Sequence, residues 1–413
     1  MKDYLVLGGS AAGLAAAEAI RRKSKDAKIA IVSDEPGRPY NRPLLSFALG
    51  GTTPADQLFA RPGQYYTSWG FDCLSGKRAE GLDPQKSHVV LDNGQKVDYD
   101  VLLVATGSSP APLDIPGMNL EGVFYFHTKK DMNDVNACLK DTTQAVVIGG
   151  GLVGIRVADA LQKRGVQVTV LIASPFPLSQ IADEASAVMV ADVLRARGVH
   201  LVTRASPVEI QGKNGSVAGM VLENGETIPC QLVVVGKGVV PNTKFLEGSG
   251  IQIRRGIRTS SQLRTNLPGV FAAGDVVETL DLAKGYPDLH ALWPAAVEQG
   301  RIAGCNMSGE TIAYHGTISC NAIRIGEFHM VSGGISNPPE GNGYQSIVCH
   351  SPKRRIYKKI VTKGDRIVGM IFVNDIASAG VIIRLIKQKR RLSSVDADLL
   401  APRFNVGQIS LVL

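Results

Sequence analysis

Two stretches have the residue types and spacing to do chemistry: Gly8-Gly9-Ser10-Ala11-Ala12-Gly13 and Gly149-Gly150-Gly151-Leu152-Val153-Gly154. Each follows an apolar run, residues 4–7 in one case and 145–148 in the other, and each precedes an Ala/Leu-rich helical segment. A tight turn between strand and helix leaves backbone N–H groups unpaired, and the helix dipole adds positive potential, so the turn suits a pyrophosphate. Small residues let the phosphate approach. The first turn has Ser10 where a middle glycine is usual, which stays small and offers a hydroxyl; the second keeps Gly149, Gly151 and Gly154. One such turn is a weak signal, and the bland reading is an ordinary strand–turn–helix corner. Two of them, roughly 140 residues apart and each correctly flanked, predict a protein that holds two dinucleotides and passes electrons between them.

The elements that must position these turns follow from the pattern. A strand at 3–7, the turn, a helix over 14–22 and a strand at 28–32 make one β-α-β unit. Ser33-Asp34-Glu35 comes next. An acid at the end of the second strand reads a ribose hydroxyl; strict spacing points at Ser33, with Asp34 and Glu35 one and two residues later. Residues 99–105 read as a buried strand ending in Ala105-Thr106-Gly107. A second β-α-β unit starts at 145 and runs through a strand at 167–172. A hairpin is expected around Asn224-Gly225, and a strand at 232–235 leads into Gly236-Lys237-Gly238. A strand at 270–272 ends at Gly274-Asp275, and a helix over 294–307 carries Gln299-Gly300-Arg301. The last part is an α+β unit with a hairpin around Lys363-Gly364-Asp365 and a helix from about 376 to 391.

Composition narrows the class. The chain has 413 residues, enough for two or three domains with full cores. No apolar run is long enough to cross a bilayer, and the early first strand leaves no room for a signal peptide. Six cysteines, at 73, 138, 230, 305, 320 and 349, form no CxxC pair. That argues against a disulfide framework, a metal or iron–sulfur site in this chain and a redox-active cysteine pair, and it predicts a reducing, cytoplasmic setting. The net charge of +8 is local: residues 315–413 carry 14 Lys+Arg against 6 Asp+Glu, while the remainder balances at 31 each. The basic segments are Lys353-Arg354-Arg355, Lys358-Lys359 and Arg384, Lys387, Lys389, Arg390 and Arg391. Residues 384, 387 and 391 share one face of the predicted helix. Such a face attracts an acidic protein; a solvated surface or a contact with a partner subunit is the other reading. No motif supports nucleic acid.

Taken in order, these pieces resemble the flavin-dependent pyridine-nucleotide oxidoreductase superfamily over essentially the whole chain. Tyr40-Asn41-Arg42-Pro43-Leu44-Leu45-Ser46 is similar to the branch of ferredoxin reductases, NADH:rubredoxin reductases and the flavin half of nitrite reductase. The disulfide reductases of the superfamily carry active cysteines in this neighbourhood, and here there are none. The resemblance implies an α/β fold of two Rossmann-like domains plus a C-terminal α+β interface domain. It implies an FAD-binding domain from 1–112 and 242–312, an NAD(P)-binding domain from 113–241, and an interface domain from 315–413 that often supports a homodimer. It implies that Asp275, after Gly274, binds the ribityl chain and that Arg42 and Pro43 lie close to FAD. It also implies that the helix opening at Trp293-Pro294-Ala295 points its N-terminus at the flavin pyrimidine ring, where its dipole favours negative charge. His290 reads as structural. Gly238 belongs to the NAD(P) side.

Two departures from the resembling pattern stand out. Relatives usually have Lys after the Arg-Pro-x-Leu-Ser stretch and Glu two residues after the last glycine of the second turn; here these are Phe47 and Arg156. With both changed, no lone buried charge remains. One reading brings Arg156 toward the flavin or nicotinamide with Phe47 shielding the ring; the other points Arg156 to solvent or a phosphate. The second departure is at the NAD(P) ribose. Ala173-Ser174-Pro175 offers neither an acid for a 2′-hydroxyl nor an adjacent cation for a 2′-phosphate, which leaves NADH against NADPH open. The resulting expectation is hydride transfer between NAD(P)H and FAD N5 and electron exchange with a small acidic iron–sulfur protein of ferredoxin or rubredoxin type. The alternatives are a flavin-bearing subunit of a larger redox complex and an NAD(P)H oxidase.

Overall fold

A computed structural model of the chain describes residues 2–394 and 398–401. Two five-stranded parallel sheets carry the two glycine turns. The first runs Val270–Ala272, Val101–Val104, Asp3–Leu7, Lys28–Ser33, Phe71–Ser75 from edge to edge. The second runs Val199–Thr203, Gln167–Ile172, Gln144–Ile148, Leu232–Val235, Val123–Tyr125. Their central strands are continuous runs of Val, Leu and Ile because both faces are covered; Val101–Val104 and Leu232–Val235 are buried at every residue. In both sheets the order reverses beside the strand that precedes a glycine turn, the place where open α/β sheets bind ligands.

The helix after the first turn spans Ala11–Lys23 and starts three residues earlier than the sequence predicts. Ser10 is its N-cap, so the turn itself forms the first helical step. This helix lies against the helix Trp293–Met307. Glycine permits the approach: a Cβ on Gly300 would sit 2.0 Å from the Ala12 carbonyl oxygen, and one on Gly304 would sit 2.4 Å from that of Ala16. Ala12, Leu14, Ala16, Ala17 and Ile20 face this seam and the sheet. Each large apolar side chain buried there contributes about 1.5–3 kcal/mol. The helix after the second turn, Leu152–Lys163, packs instead against the short helix Leu45–Leu49. Arg164 clamps that contact by donating to the Leu49 carbonyl at 3.0 Å.

The C-terminal unit is an antiparallel sheet ordered Cys320–Ile325, Phe328–Gly334, Ile367–Val373, Ile356–Lys363, Tyr344–Ser351, with the helix Ala379–Lys387 on one face. That helix is shorter than the sequence predicts. Lys389 takes a left-handed φ of 52°, which ends the helical path, and Arg391 forms a backbone bridge with Arg366. Residues 384, 387 and 391 therefore do not share one helix face. Lys358 and Lys359, expected within the basic surface, are buried. Lys358 pairs with Asp375 at 2.8 Å, and Lys359 pairs with Asp183 at 3.0 Å. Arg403, the last of the basic residues, lies outside the described residues. No helix among the described residues is long and apolar enough to cross a membrane.

Candidate functional site

The two turns are built on one plan. Gly8 has φ +112° and Gly149 has φ +121°, both disfavoured for side-chain-bearing residues. A Cβ on Gly13 would fall 1.8 Å from the Gly8 carbonyl oxygen, and one on Gly154 would fall 1.9 Å from that of Gly149. Ser10 and Gly151 are the corresponding N-caps, both extended, and neither helix has a side-chain cap or an acid in its first turn. The first N–H groups of both helices are thus directed outward with the dipole behind them, which fits a pyrophosphate at each turn. Nothing would lie within 4 Å of a Cβ on Gly151, so the second turn has open space at its mouth.

Around the first turn the structure gathers most of the expected residues. Gly9 packs on the side chain of Ser33, where a Cβ would meet the Ser33 Cβ at 3.3 Å. Glu35 is already engaged: Arg42 Nη2 donates to its Oε1 at 2.7 Å and the Tyr40 hydroxyl donates to its Oε2 at 2.5 Å. Asp34 is exposed, with Arg78 only at 3.8 Å, so its oxygens are free to accept from a further donor. Pro43 is exposed beside Arg42 in the 3-10 turn Arg42–Leu44. Arg42 also donates to the His127 carbonyl at 2.7 Å. Burial, reinforced by the Arg42 charge, pushes the His127 imidazole down to about 4, so it is neutral at pH 7. This Glu35–Tyr40–Arg42–His127 network is not legible in the sequence, because His127 is 85 positions from Arg42.

Asp275 sits at the end of the Val270–Ala272 strand, and Ser108 Oγ donates to its Oδ2 at 3.0 Å. Burial raises the Asp275 carboxyl, while Ser108 and the nearby Arg42 charge pull it back. A sheltered carboxylate with lone pairs to spare is an acceptor suited to ribityl hydroxyls. Gln299 accepts from the Gly274 N–H at 2.7 Å and so fixes this loop to the Trp293–Met307 helix. That helix begins with Pro294 in its first turn, with Ala295 buried and Trp293 half-buried outside the apolar cores. Ala105-Thr106-Gly107 is stitched to Asn242 by three bonds: Thr106 Oγ1 to the Asn242 carbonyl at 2.9 Å, Asn242 Nδ2 to the Thr106 carbonyl at 2.9 Å, and Asn242 N–H to the Gly107 carbonyl at 3.0 Å. His290 is buried against Asp281 at 3.2 Å.

Phe47 and Arg156 meet. The guanidinium carbon lies 4.8 Å from the ring centroid, and Arg156 Nη2 donates to the Ala322 carbonyl at 3.0 Å. Desolvation lowers the Arg156 pKa from its ordinary value, without neutralising it at pH 7. The side chain therefore spans a junction: a ring from the Leu45–Leu49 helix, a helix following the second turn and a strand of the C-terminal sheet. A second latch joins the same two regions. Asp183, N-cap of Glu184–Ala196, accepts from the Tyr357 hydroxyl at 2.6 Å and from Lys359. Around the second turn, Leu152 is half-buried, Val153 is exposed, and Gly238, at φ +105°, has open space where a Cβ would be.

Comparison with known proteins identifies the family and the fold. Residues 2–300 match the family described as pyridine nucleotide-disulphide oxidoreductase, and residues 321–390 match the rubredoxin NAD+ reductase C-terminal domain. The chain is 30% identical over 397 residues to nitrite reductase [NAD(P)H] of Bacillus subtilis (strain 168), covering 96% of this chain and 48% of that one; it spans about half the length of that relative. It is 29% identical over 408 residues to the epsilon subunit of NADH-dependent phenylglyoxylate dehydrogenase of Aromatoleum evansii, covering 98% and 96%. A solved NAD-dependent persulfide reductase from A. fulgidus superposes with a TM-score of 0.91 at 27% identity, covering 98% of this chain and 81% of that one.

Proposed function

The chain belongs to the pyridine nucleotide-disulphide oxidoreductase family, and from that premise we propose that it exchanges electrons between NAD(P)H and a small acidic iron–sulfur protein of ferredoxin or rubredoxin type. It is an NAD(P)H oxidoreductase that uses FAD. FAD supplies a hydride acceptor at N5 and release of electrons one at a time.

The chain's own residues bind and orient. Gly8–Gly13 and the N-terminus of the Ala11–Lys23 helix would hold the FAD pyrophosphate, Asp34 the adenosine ribose, and Asp275 the ribityl hydroxyls, with Arg42 beside them as a fixed cation. Gly149, Gly151, Leu152, Val153 and Gly154 would hold the NAD(P) pyrophosphate. Phe47, with the Arg156 guanidinium stacked on its ring, would cover the approach between the two. Hydride transfer requires position and electrostatics rather than a proton donor, so no acid–base residue is assigned.

The observation that carries the choice of partner is the uneven charge. Lys353, Arg354, Arg355, Arg384, Lys387 and Lys389 are exposed in the C-terminal unit, whose sequence matches a rubredoxin reductase domain. Reversal of Lys353, Arg354 and Arg355 to Glu is expected to slow electron delivery to an acidic iron–sulfur protein about tenfold at low salt. Flavin bleaching by NAD(P)H should be unchanged. Equal rates for the triple variant and the parent, or no salt dependence, reject the docking surface. A second reading has its own support: the chain matches end to end a relative named as a subunit. In that case the flavin would bleach slowly with either nucleotide while an iron–sulfur protein copurifies with the tagged chain.

A further inference from the structure

Beside the second turn lies a cation that sequence spacing hides. The main chain carries a continuous path from the second turn to the ribose position. Gly150 lies against Ile172, where a Cβ would meet Cγ2 at 2.7 Å, and the Gly150 carbonyl accepts from the Leu178 N–H at 2.8 Å. The loop 173–178 is therefore folded directly beside the turn. Across its open side runs the end of the neighbouring strand Val199–Thr203. The Arg204 N–H donates to the Ser174 carbonyl at 3.3 Å, and the Ala205 N–H donates to the Ile172 carbonyl at 3.2 Å. Arg204 is thus next to Ser174 in space although 30 positions away in sequence.

In β-α-β dinucleotide sites the end of the second strand meets the adenosine ribose, where an acid selects a 2′-hydroxyl and an arginine accepts a 2′-phosphate. Here the second strand ends in exposed Ala173 and half-buried Ser174, whose hydroxyl is spent on the Phe176 carbonyl at 2.8 Å. Residues 173–182 hold no charged side chain, and Arg204 is the one charge in 203–208. Its side chain is exposed and takes no carboxylate, carbonyl or ring among the described residues. The backbone at Arg204 is left-handed, φ +54°, a conformation that favours glycine or asparagine. An arginine stands where a smaller residue would sit more easily. Guanidinium pairs with phosphate through two parallel N–H bonds, stronger and more directional than those of an ammonium.

We propose that Arg204 binds the 2′-phosphate of the adenosine ribose, so that this site prefers NADPH to NADH. The inference rests on the nucleotide reading of the second turn and names which nucleotide that site takes. The test is calorimetric binding of 2′,5′-ADP and of 5′-AMP to the flavin-loaded protein; these ligands differ by the 2′-phosphate alone. The expected result is about tenfold or greater preference for 2′,5′-ADP at low salt. Arg204→Gln and Arg204→Gly should each bring the ratio below about threefold by weakening 2′,5′-ADP alone, and Arg204→Lys should retain part of it. The glycine variant suits the left-handed backbone, so loss of preference in it cannot be ascribed to misfolding. A ratio near one in the parent, or a ratio unmoved by either neutral variant, overturns the role of Arg204 and leaves the nucleotide site standing. Failure of both ligands to bind protein that still carries flavin overturns the nucleotide reading and this inference together.

Discussion

Gly13 and Gly154 stand at the same step of two turns, and a Cβ on either would run into the turn's own first carbonyl, at 1.8 and 1.9 Å. The backbone plan is shared; the surroundings are not. The first turn is roofed by the Trp293–Met307 helix, with Ala12 buried beneath Gly300 and the Gly274–Asp275 loop pinned by Gln299. The second turn faces solvent: Gly151 is exposed, and Val153 is 45% exposed on the first turn of its helix. A ligand enclosed by a packed helix leaves only when that packing opens, whereas one on an open turn exchanges freely. The difference suits a resident cofactor at the first turn and a nucleotide that comes and goes at the second.

The sharpest way to break this comparison is to block each turn in the same manner. Gly13→Ala should yield protein with little flavin and a Tm lower by about 10 °C or more, because the clash is with backbone inside a packed core. Gly154→Ala meets the same backbone clash at a buried glycine and should also lower Tm, but it should lose nucleotide binding while retaining the flavin band. Flavin absorbance per chain and 5′-AMP calorimetry on both variants decide the matter; equal flavin loss in the two would erase the distinction.

Acid should open the two regions in sequence. His127 has a folded pKa of about 4 against an ordinary 6.5, so it adds stability that is complete above pH 6.5 and lost as pH falls toward 4. The loss is about 2 kcal/mol, allowing for partial exposure. Asp183 is held below its ordinary range by the Tyr357, Ser186 and Lys359 bonds, against the burial that raises it. Its contribution therefore persists down to the ordinary carboxylate range and is lost only below it. Flavin release followed by fluorescence should begin in the upper window, and His127→Gln should flatten that limb alone. A single transition below pH 4 in both proteins would contradict the assignment.

Asp275 separates the regions more gently. Burial raises its carboxyl, so the charged form costs stability above the folded pKa and nothing below the ordinary one. Asp275→Asn should stabilise flavin-free protein by about 1 kcal/mol at pH 7 and not at pH 3.5, while FAD affinity falls about tenfold. The second turn has no such acid: the matching edge strand, Val123–Tyr125, runs into Phe126-His127. Stabilisation together with unchanged FAD affinity would leave Asp275 a structural residue.

The sheets and turns were legible because period, glycine spacing and apolar runs are local. Leu232–Val235 and Gln167–Ile172 stand where the residue pattern puts them. What escaped the sequence is set by partners distant along the chain. Lys358 and Lys359 look like a surface cluster until Asp375 and Asp183 are brought beside them. Glu35 reads as one of two acids beside Ser33 that could meet the ribose until Arg42 and Tyr40 occupy both of its oxygens. Arg204 carries no signal, because the contact that makes it relevant is a backbone bond to the next strand. Phe47 and Arg156, by contrast, are paired in the sequence reading through the positions they share with relatives, and the structure does bring them into contact.

That contact is where the two regions meet, and its expected effect is the smallest. Arg156 lies on the helix after the second turn, its ring partner comes from the short helix Leu45–Leu49 that follows Arg42, and its second bond goes to Ala322 of the C-terminal sheet. A half-buried cation–π contact contributes about 1 kcal/mol, and a bond to a backbone carbonyl a similar amount. Arg156→Gln should therefore lower Tm by only a few degrees, about 2–4 °C for each kcal/mol lost. If its charge also acts on the electron path, anaerobic bleaching by the preferred nucleotide should slow several-fold at saturation, with the flavin potential falling as the cation is removed. Arg156→Lys would then restore the potential more than the stability, since a lysine keeps the charge but not the planar stack on Phe47. A variant that melts lower yet keeps potential and bleaching rate would make Arg156 a mechanical tie between the two turns and nothing more.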